Sequence, residues 1–247
     1  METGPVPPAR GGRLPLLSLV PNLVTMLGLC FGLTSIRFTF DDRFELAAGL
    51  LILAALIDGL DGLLARRLNA ASPFGAELDS LSDFVCFGVA PAMLLYHFGL
   101  EGMGGMGWLA ALFFAICCCL RLARFNVAAK DDTGDKTSFT GVPAPAGAML
   151  GIVPVTLWLG GFADPRGAQL LIAAWVVAVG AMMIARFRTV SLKAMRVDRD
   201  NAVWVLLGAA LVIGLMLTRI WVFHVTASAI YLGLLAWGLA RPRKRTT

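Results

Sequence analysis

The chain has 247 residues, 58% of them hydrophobic and 15% charged, with a mean hydropathy of +0.78 and a formal net charge of +5. Soluble domains run at about 45–50% apolar and about 25% charged. The composition therefore excludes a disordered chain, an ordinary soluble enzyme and a nucleic-acid-binding module, and the basic excess belongs to the loops of a polytopic helical membrane protein. In chain order, residues 1–13 are rich in Pro and Gly and read as a flexible segment. The apolar run from Leu14 continues to about Ile36, too far for a signal-peptide core, and predicts a retained first helix near 17–37. Further helices are expected near 44–66, 78–98, 106–127, 145–162, 167–186, 202–218 and 220–239, the last two separated only around Thr218 and Arg219. The predicted fold class is all-α, a membrane bundle of about eight transmembrane helices with six in the core and two C-terminal.

An even number of spans puts both termini on one side, and the basic residues say which. Arg10, Arg13, Arg66, Arg67, Arg121, Arg124, Lys130 and Lys136 share that side with the 186–201 loop and the 241–247 tail. The other side receives Arg37, Arg43, Arg166 and Arg219. The richer side is the cytoplasmic one. The cysteines (Cys30, Cys86, Cys117, Cys118 and Cys119) lie in apolar runs without CxxC or Cys/His spacing, and read as small membrane-buried side chains. His97 and His224 stand alone near span ends and read as interfacial, as do Trp108, Trp158, Trp204, Trp221 and Tyr231. Gly28/Gly32 and Gly147/Gly151 have the spacing of close helix contacts.

Four carboxylates sit where an apolar bundle should have none. Asp58 and Asp61 follow the run AAGLLILAALI; Asp79 and Asp83 open the next span. An ionised side chain at membrane depth costs about 2.5–3.5 kcal/mol on insertion scales, so these groups need a polar cavity, cations or a metal. Asp58, Asp61, Gly62 and Ala65 fall at i, i+3, i+4 and i+7 on one helix face, and Asp79 and Asp83 at i and i+4 on the next. The short link makes the helices antiparallel neighbours, so the two faces can meet on the cytoplasmic side. Nearby in sequence the only counter-ions are Arg66 and Arg67, which favours a hard-oxygen site for Mg²⁺ or Mn²⁺. Gly62, Ala65 and Gly75 keep its wall thin, and Arg66 can form paired hydrogen bonds to a phosphate. From spacing alone, an ion path and structural pairing with arginines of other helices stay open beside the metal site.

The segments DGLDGLLAR at 58–66 and GAELDSLSD at 75–83, separated by eight residues, resemble the signature of the CDP-alcohol phosphatidyltransferases, and every fixed position is present. PNLVT at 21–25 is similar to the family's first helix start. LRLARFNV at 120–127, TSFTGVPAPAGA at 137–148 and, more loosely, MMIARFRTVSLKAMRV at 182–197 resemble the branch that uses serine as acceptor.

The resemblance implies a catalytic core over 17–200, following a flexible cytoplasmic segment at 1–16 and preceding a helix pair at 201–240 and a basic tail at 241–247. It implies transfer of the phosphatidyl group of CDP-diacylglycerol to L-serine, giving phosphatidylserine and CMP. Two Mg²⁺ or Mn²⁺ ions are then held by Asp58, Asp61, Asp79 and Asp83, with Asp83 as general base. Asp61, Gly62, Ala65, Arg66 and Gly75 line the CDP site, joined by Asn22 and Thr25. The serine carboxylate needs cationic or amide donors. Arg121, Arg124, Arg186, Arg188 and Lys193 can supply them, with Asn126 and Ser138 as further contacts, while Gly141, Pro143 and Pro145 shape the loop. The same basic residues also fit ordinary positive-inside loops. The implied partners are the two substrates, membrane lipids and a second copy of the chain, in a bacterial-type inner membrane with the site and both termini cytoplasmic. Rival readings are the same chemistry on glycerol 3-phosphate or an inositol phosphate, and a cation or proton transporter.

Overall fold

The computed structural model describes residues 20–67, 72–130, 141–185 and 218–240, with 208 and 214–216. Within the helices, the side chains of 61, 63–66, 129, 130, 239 and 240 lie outside the described set. The described residues are all helical or in turns, without strands. The helices are α1 (Val20–Phe40), α2 (Phe44–Arg67), α3 (Pro73–Asp83), α4 (Ala90–Leu95), α5 (Gly105–Lys130), α6 (Ala144–Gly151), α7 (Val153–Leu159), α8 (Gln169–Ile184) and α9 (Ile220–Ala240).

Among the described residues, four helical stretches are long and apolar enough to cross a membrane: Val20–Phe40, Pro73–Met103, Gly105–Ala128 and Ile220–Gly238. The protein is therefore read as an integral membrane protein. The expected count of about eight spans is not reached among the described residues. At 16 residues α8 is about 24 Å long, short of an apolar core near 30 Å. The helix expected at 202–218 lies mostly outside the described residues.

Small residues set the closest packing. The buried face of α1 is Pro21, Thr25, Gly28, Gly32, Ser35 and Thr39, a stripe with alternating steps of four and three. A small stripe lets backbones approach, the usual solution where lipid gives no hydrophobic drive between helices. At Gly32 a Cβ would lie 2.7 Å from Cys86 Sγ and 3.2 Å from Cys86 Cα, so any side chain there meets backbone. Ser35 Oγ donates to the Ala47 carbonyl at 2.9 Å, joining α1 to α2. Beyond this contact, Leu51, Phe87, Leu94, Phe114, Leu150 and Val176 belong to one continuous buried core.

Two helices depart from their expected bounds. The span expected at 78–98 begins at Pro73 and stays helical to Met103. Ser72 caps it, accepting from Gly75 N at 3.0 Å, and Pro73 takes a first-turn position where its missing N–H costs nothing. Its middle widens into π-helical turns at Phe84–Val89 and Tyr96–Leu100. The first precedes Pro91, whose ring would clash with the carbonyl four residues back in a regular α-helix. The helix expected at 145–162 breaks at Ile152, because Pro154 cannot donate to the Leu150 carbonyl. Trp175 Nε1 donates to that carbonyl instead, at 2.9 Å.

His224 also departs from expectation. It is 5% exposed and its Nδ1 lies 3.0 Å from Thr156 Oγ1, so it faces the bundle interior rather than an interface. Tyr231 sits midway along α9 with its hydroxyl buried, which removes it from an aromatic belt. At the turn before α8, the exposed Asp164 carboxylate accepts from the Arg166 backbone and guanidinium, which holds its carboxyl below the usual range. The same guanidinium stacks over Trp158 at 4.5 Å.

Candidate active site

Alternating helix directions bring the start of α1, the end of α2, the start of α3, the end of α5, the start of α6 and the end of α8 to one end of the bundle. There α2 supplies Asp58, and α3 supplies Asp79 and Asp83. One carboxylate oxygen from each lies within 4.8 Å of the others, and all three residues are half-buried. They line a cavity of about 10 Å³ together with Thr25, Gly28, Ile57, Ser82 and Cys86. That is the space of one small ion or water. A site for Mg²⁺ places oxygens at about 2.0–2.1 Å from the ion, hence opposite oxygens about 4.2 Å apart. Side-chain shifts of a few tenths of an ångström close the difference, and the donors are all carboxylate oxygens. The residues present fit a hard divalent cation.

Hydrogen bonds to α1 fix α3 and the π-helical turn after it at this point. Ser82 Oγ donates to the Thr25 carbonyl at 3.3 Å, and Cys86 Sγ donates to the Gly28 carbonyl at 3.3 Å. Thr25 Oγ1 itself donates to the Pro21 carbonyl at 3.1 Å. Sequence reasoning does not single out Ser82, and it reads Cys86 only as a small membrane-buried side chain. Their partners are backbone carbonyls on another helix, which carry no residue-type signal. Ser72 was missed as well, although Ser-Pro before a helical pattern is a readable start signal.

Asn22 on α1 and Gly75 on α3 lie against each other. A Cβ at position 75 would lie 2.8 Å from Asn22 Oδ1 and 3.1 Å from Ser72 Oγ, so only glycine leaves this arrangement intact. Gly62 has open space around its Cα. Asp61, Ala65 and Arg66 follow on the last turns of α2, but their side chains lie outside the described residues.

Of the basic residues of the expected serine pocket, the two described ones, Arg121 and Arg124, tie helices together. Arg121 Nε donates to the Val142 carbonyl, and Arg124 Nη1 to the Ile184 carbonyl at 3.0 Å. Arg121 also lies within Coulombic range of Asp83. Gly141 adopts φ +89°, and a Cβ there would lie 2.8 Å from the Met183 and Ala185 carbonyls. Only glycine takes that conformation and that approach without strain. Val142 N then donates to the Met182 carbonyl at 3.3 Å. Asn126 Nδ2 lies 2.9 Å from Ser80 Oγ, tying α5 to α3 between Asp79 and Asp83 in sequence. Pro143 precedes α6 as its N-cap residue, and Pro145 lies in the first turn. Ser138, Arg186, Arg188 and Lys193 lie outside the described residues.

Comparison with known proteins places this geometry. A family profile described as CDP-alcohol phosphatidyltransferase matches residues 18–183. A Mycobacterium leprae protein named CDP-diacylglycerol–serine O-phosphatidyltransferase is 41% identical over 182 residues, covering 72% of this chain and 60% of the relative. A Helicobacter pylori protein of the same name is 33% identical over 226 residues, 91% of each chain. An archaetidylserine synthase of Methanothermobacter thermautotrophicus is 35% identical over 168 residues, 67% of each. The chain spans 54–60% of the length of the mycobacterial relatives it matches. With its motif complete, its carboxylates convergent and two thirds of its length matched, the chain belongs to the CDP-alcohol phosphatidyltransferase family.

Proposed function

We propose that this protein transfers the phosphatidyl group of CDP-diacylglycerol to the hydroxyl of L-serine, giving phosphatidylserine and CMP. The observation that carries the reading is the 58–83 motif, whose three described carboxylates meet within 4.8 Å at the end of the bundle where α2 and α3 are joined. Relatives named as serine phosphatidyltransferases support the choice of acceptor.

Asp58, Asp61, Asp79 and Asp83 would hold two Mg²⁺ or Mn²⁺ ions, which when bound neutralise the diphosphate and the charge on departing CMP. The chain does the rest. Arg66 makes paired hydrogen bonds to a phosphate. Gly62, Ala65 and Gly75 let the CDP head approach the backbone, with Asn22 and Thr25 beside it. The serine hydroxyl oxygen attacks the phosphorus that carries diacylglycerol, the bond from that phosphorus to the CMP oxygen breaks, and a carboxylate oxygen of Asp83 takes the hydroxyl proton. A carboxylate beside cations is a weak base, so positioning carries much of the acceleration. Arg121, Arg124, Arg186, Arg188 and Lys193 orient the serine carboxylate, assisted by Asn126, Ser138 and Gly141.

In this reading the catalytic core covers 17–200, the site and both termini face the cytoplasm of a bacterial-type inner membrane, and the protein works as a homodimer. The 1–16 segment and the 241–247 tail flank the membrane, and the 201–240 pair completes a bundle of about eight spans. Purified protein in micelles, given CDP-diacylglycerol and Mg²⁺ or Mn²⁺, should release CMP when serine is added. Release with glycerol 3-phosphate in place of serine overturns the acceptor. Absence of release with any alcohol, together with cation flux in liposomes, overturns the transferase.

A further inference from the structure

The helix that gives the carboxylate site no ligand touches both helices that do. Thr25 and Gly28 of α1 line the ion-sized cavity beside Asp58 of α2 and Asp79 and Asp83 of α3. Gly28 has two contacts there. A Cβ on it would lie 3.6 Å from Ile57 Cγ2, so α1 rests against α2 one residue before Asp58. Its carbonyl accepts from Cys86 Sγ at 3.3 Å. One turn back, the Thr25 carbonyl accepts from Ser82 Oγ, also at 3.3 Å.

Other contacts hold α1 still. Ser35 Oγ donates to the Ala47 carbonyl at the far end of the α1–α2 pair. Gly32 brings α1 so near that a Cβ there would lie 3.2 Å from Cys86 Cα. Ser82 and Cys86 are buried and fall at i and i+4, on the stripe beside Asp79 and Asp83, themselves i and i+4. Their hydrogen bonds act on rotation of this helix about its axis, which the bare surfaces of Gly28 and Gly32 resist little. A carboxylate oxygen rides about 6 Å from the helix axis, so about 5° of rotation moves it about half an ångström. That is the difference between the oxygen distances of Mg²⁺, about 2.0–2.1 Å, and of Ca²⁺, about 2.3–2.6 Å.

We propose that Ser82 and Cys86 determine which size of cation the site accepts. By hanging Asp79 and Asp83 from α1 at a fixed rotation, they hold the three carboxylates at the spacing of a small octahedral ion and against a larger one. The proposal deepens the divalent-cation reading of the carboxylates and rests on it. The cavity of about 10 Å³ agrees, having room for one small ion. Mg²⁺ demands near-ideal geometry, whereas Ca²⁺ tolerates irregular sets of oxygens, so a loosened rotation harms the smaller ion more. Both are positioning residues: they act through the aspartates, their donor hydrogens being engaged by α1 carbonyls.

The test is ion binding by the full-length protein in micelles, without lipid or serine, followed by calorimetry with Mg²⁺ alone and Ca²⁺ alone. Ser82→Ala should weaken Mg²⁺ binding about tenfold, the usual effect of freeing the support of a metal ligand, and Ca²⁺ binding less than about threefold. Cys86→Ala should shift the ratio the same way but less, since a thiol is a weak donor. Cys86→Ser keeps a donor and should restore the wild-type ratio. Should Ser82→Ala not fold, the two Cys86 variants carry the same comparison. A variant that is merely less stable loses both ions in parallel, so the ratio of affinities, read beside the melting temperature, separates ion sizing from a structural effect. An unchanged ratio in Ser82→Ala and Cys86→Ala, or a Cys86→Ser no better than Cys86→Ala, overturns the inference and leaves the cation reading standing. A wild type that binds neither ion overturns both. The expected ratios in a protein that releases no CMP with serine sink the transfer reading and leave the sizing role standing.

Discussion

In the proposed reaction Asp83 is asked to do two things that pull against each other. As a metal ligand it must stay ionised, and as a base it must accept a proton. Replacing it with Asn keeps shape and an oxygen donor but removes the proton acceptor. General bases contribute about 10²–10⁴-fold, so Asp83→Asn should lower kcat by about that factor with the helical circular dichroism unchanged. Retained turnover would remove Asp83 from the role. The convergence of Asp58, Asp79 and Asp83 was legible in the sequence, because acidic residues in an apolar run carry a penalty that demands a reason. Their anchors were not. Ser82 and Cys86 bond to the carbonyls of Thr25 and Gly28, and a backbone carbonyl looks the same at every position of a sequence. His224 misled for a related reason. A single histidine near a span end reads as interfacial until Thr156, 68 residues away in sequence, is found beside it.

At the level of the helix, hydropathy found where segments lie and misjudged how they begin and break. The start of α3 was expected five residues late because Glu77, Asp79, Ser80, Ser82 and Asp83 dilute the apolar signal. Capping by Ser72 and Pro73 overrides that dilution. Pro154 sat within an expected continuous helix, and the structure breaks there, with Trp175 satisfying the carbonyl that proline abandons. The Gly28/Gly32 spacing, by contrast, anticipated a close helix contact, and α1 meets Cys86 at Gly32 with no room for a Cβ. Gly32→Val should therefore destabilise the bundle by about 1–3 kcal/mol, the usual cost of overpacking, read as a lower melting temperature in micelles. It should also reduce activity, since the displaced Cys86 lies one turn from Asp83. An unchanged melting temperature would show that α1 can move aside.

For the whole molecule, the apolar bulk and basic loops identified a membrane bundle before any motif was read. The number of spans was less accessible, because a helix broken by proline and a helix of 16 residues do not announce themselves in a hydropathy pattern. Nor could a sequence disclose the third wall of the ion cavity, because α1 contributes backbone carbonyls there. The carboxylate ligands are simpler in origin, since they come from adjacent helices of a single hairpin.

That origin has a consequence for how an ion would act on the fold. A cation bridging Asp58 to Asp79 closes a loop of about twenty residues, and the entropy of loop closure rises only slowly with length. The ion thus works as a local staple rather than a clasp across the molecule. Adding Mg²⁺ should slow amide hydrogen exchange in the last turns of α2 and the first turns of α3, while α8 and α9 exchange as before. Protection spread evenly over all helices would place the ion between distant parts of the chain instead.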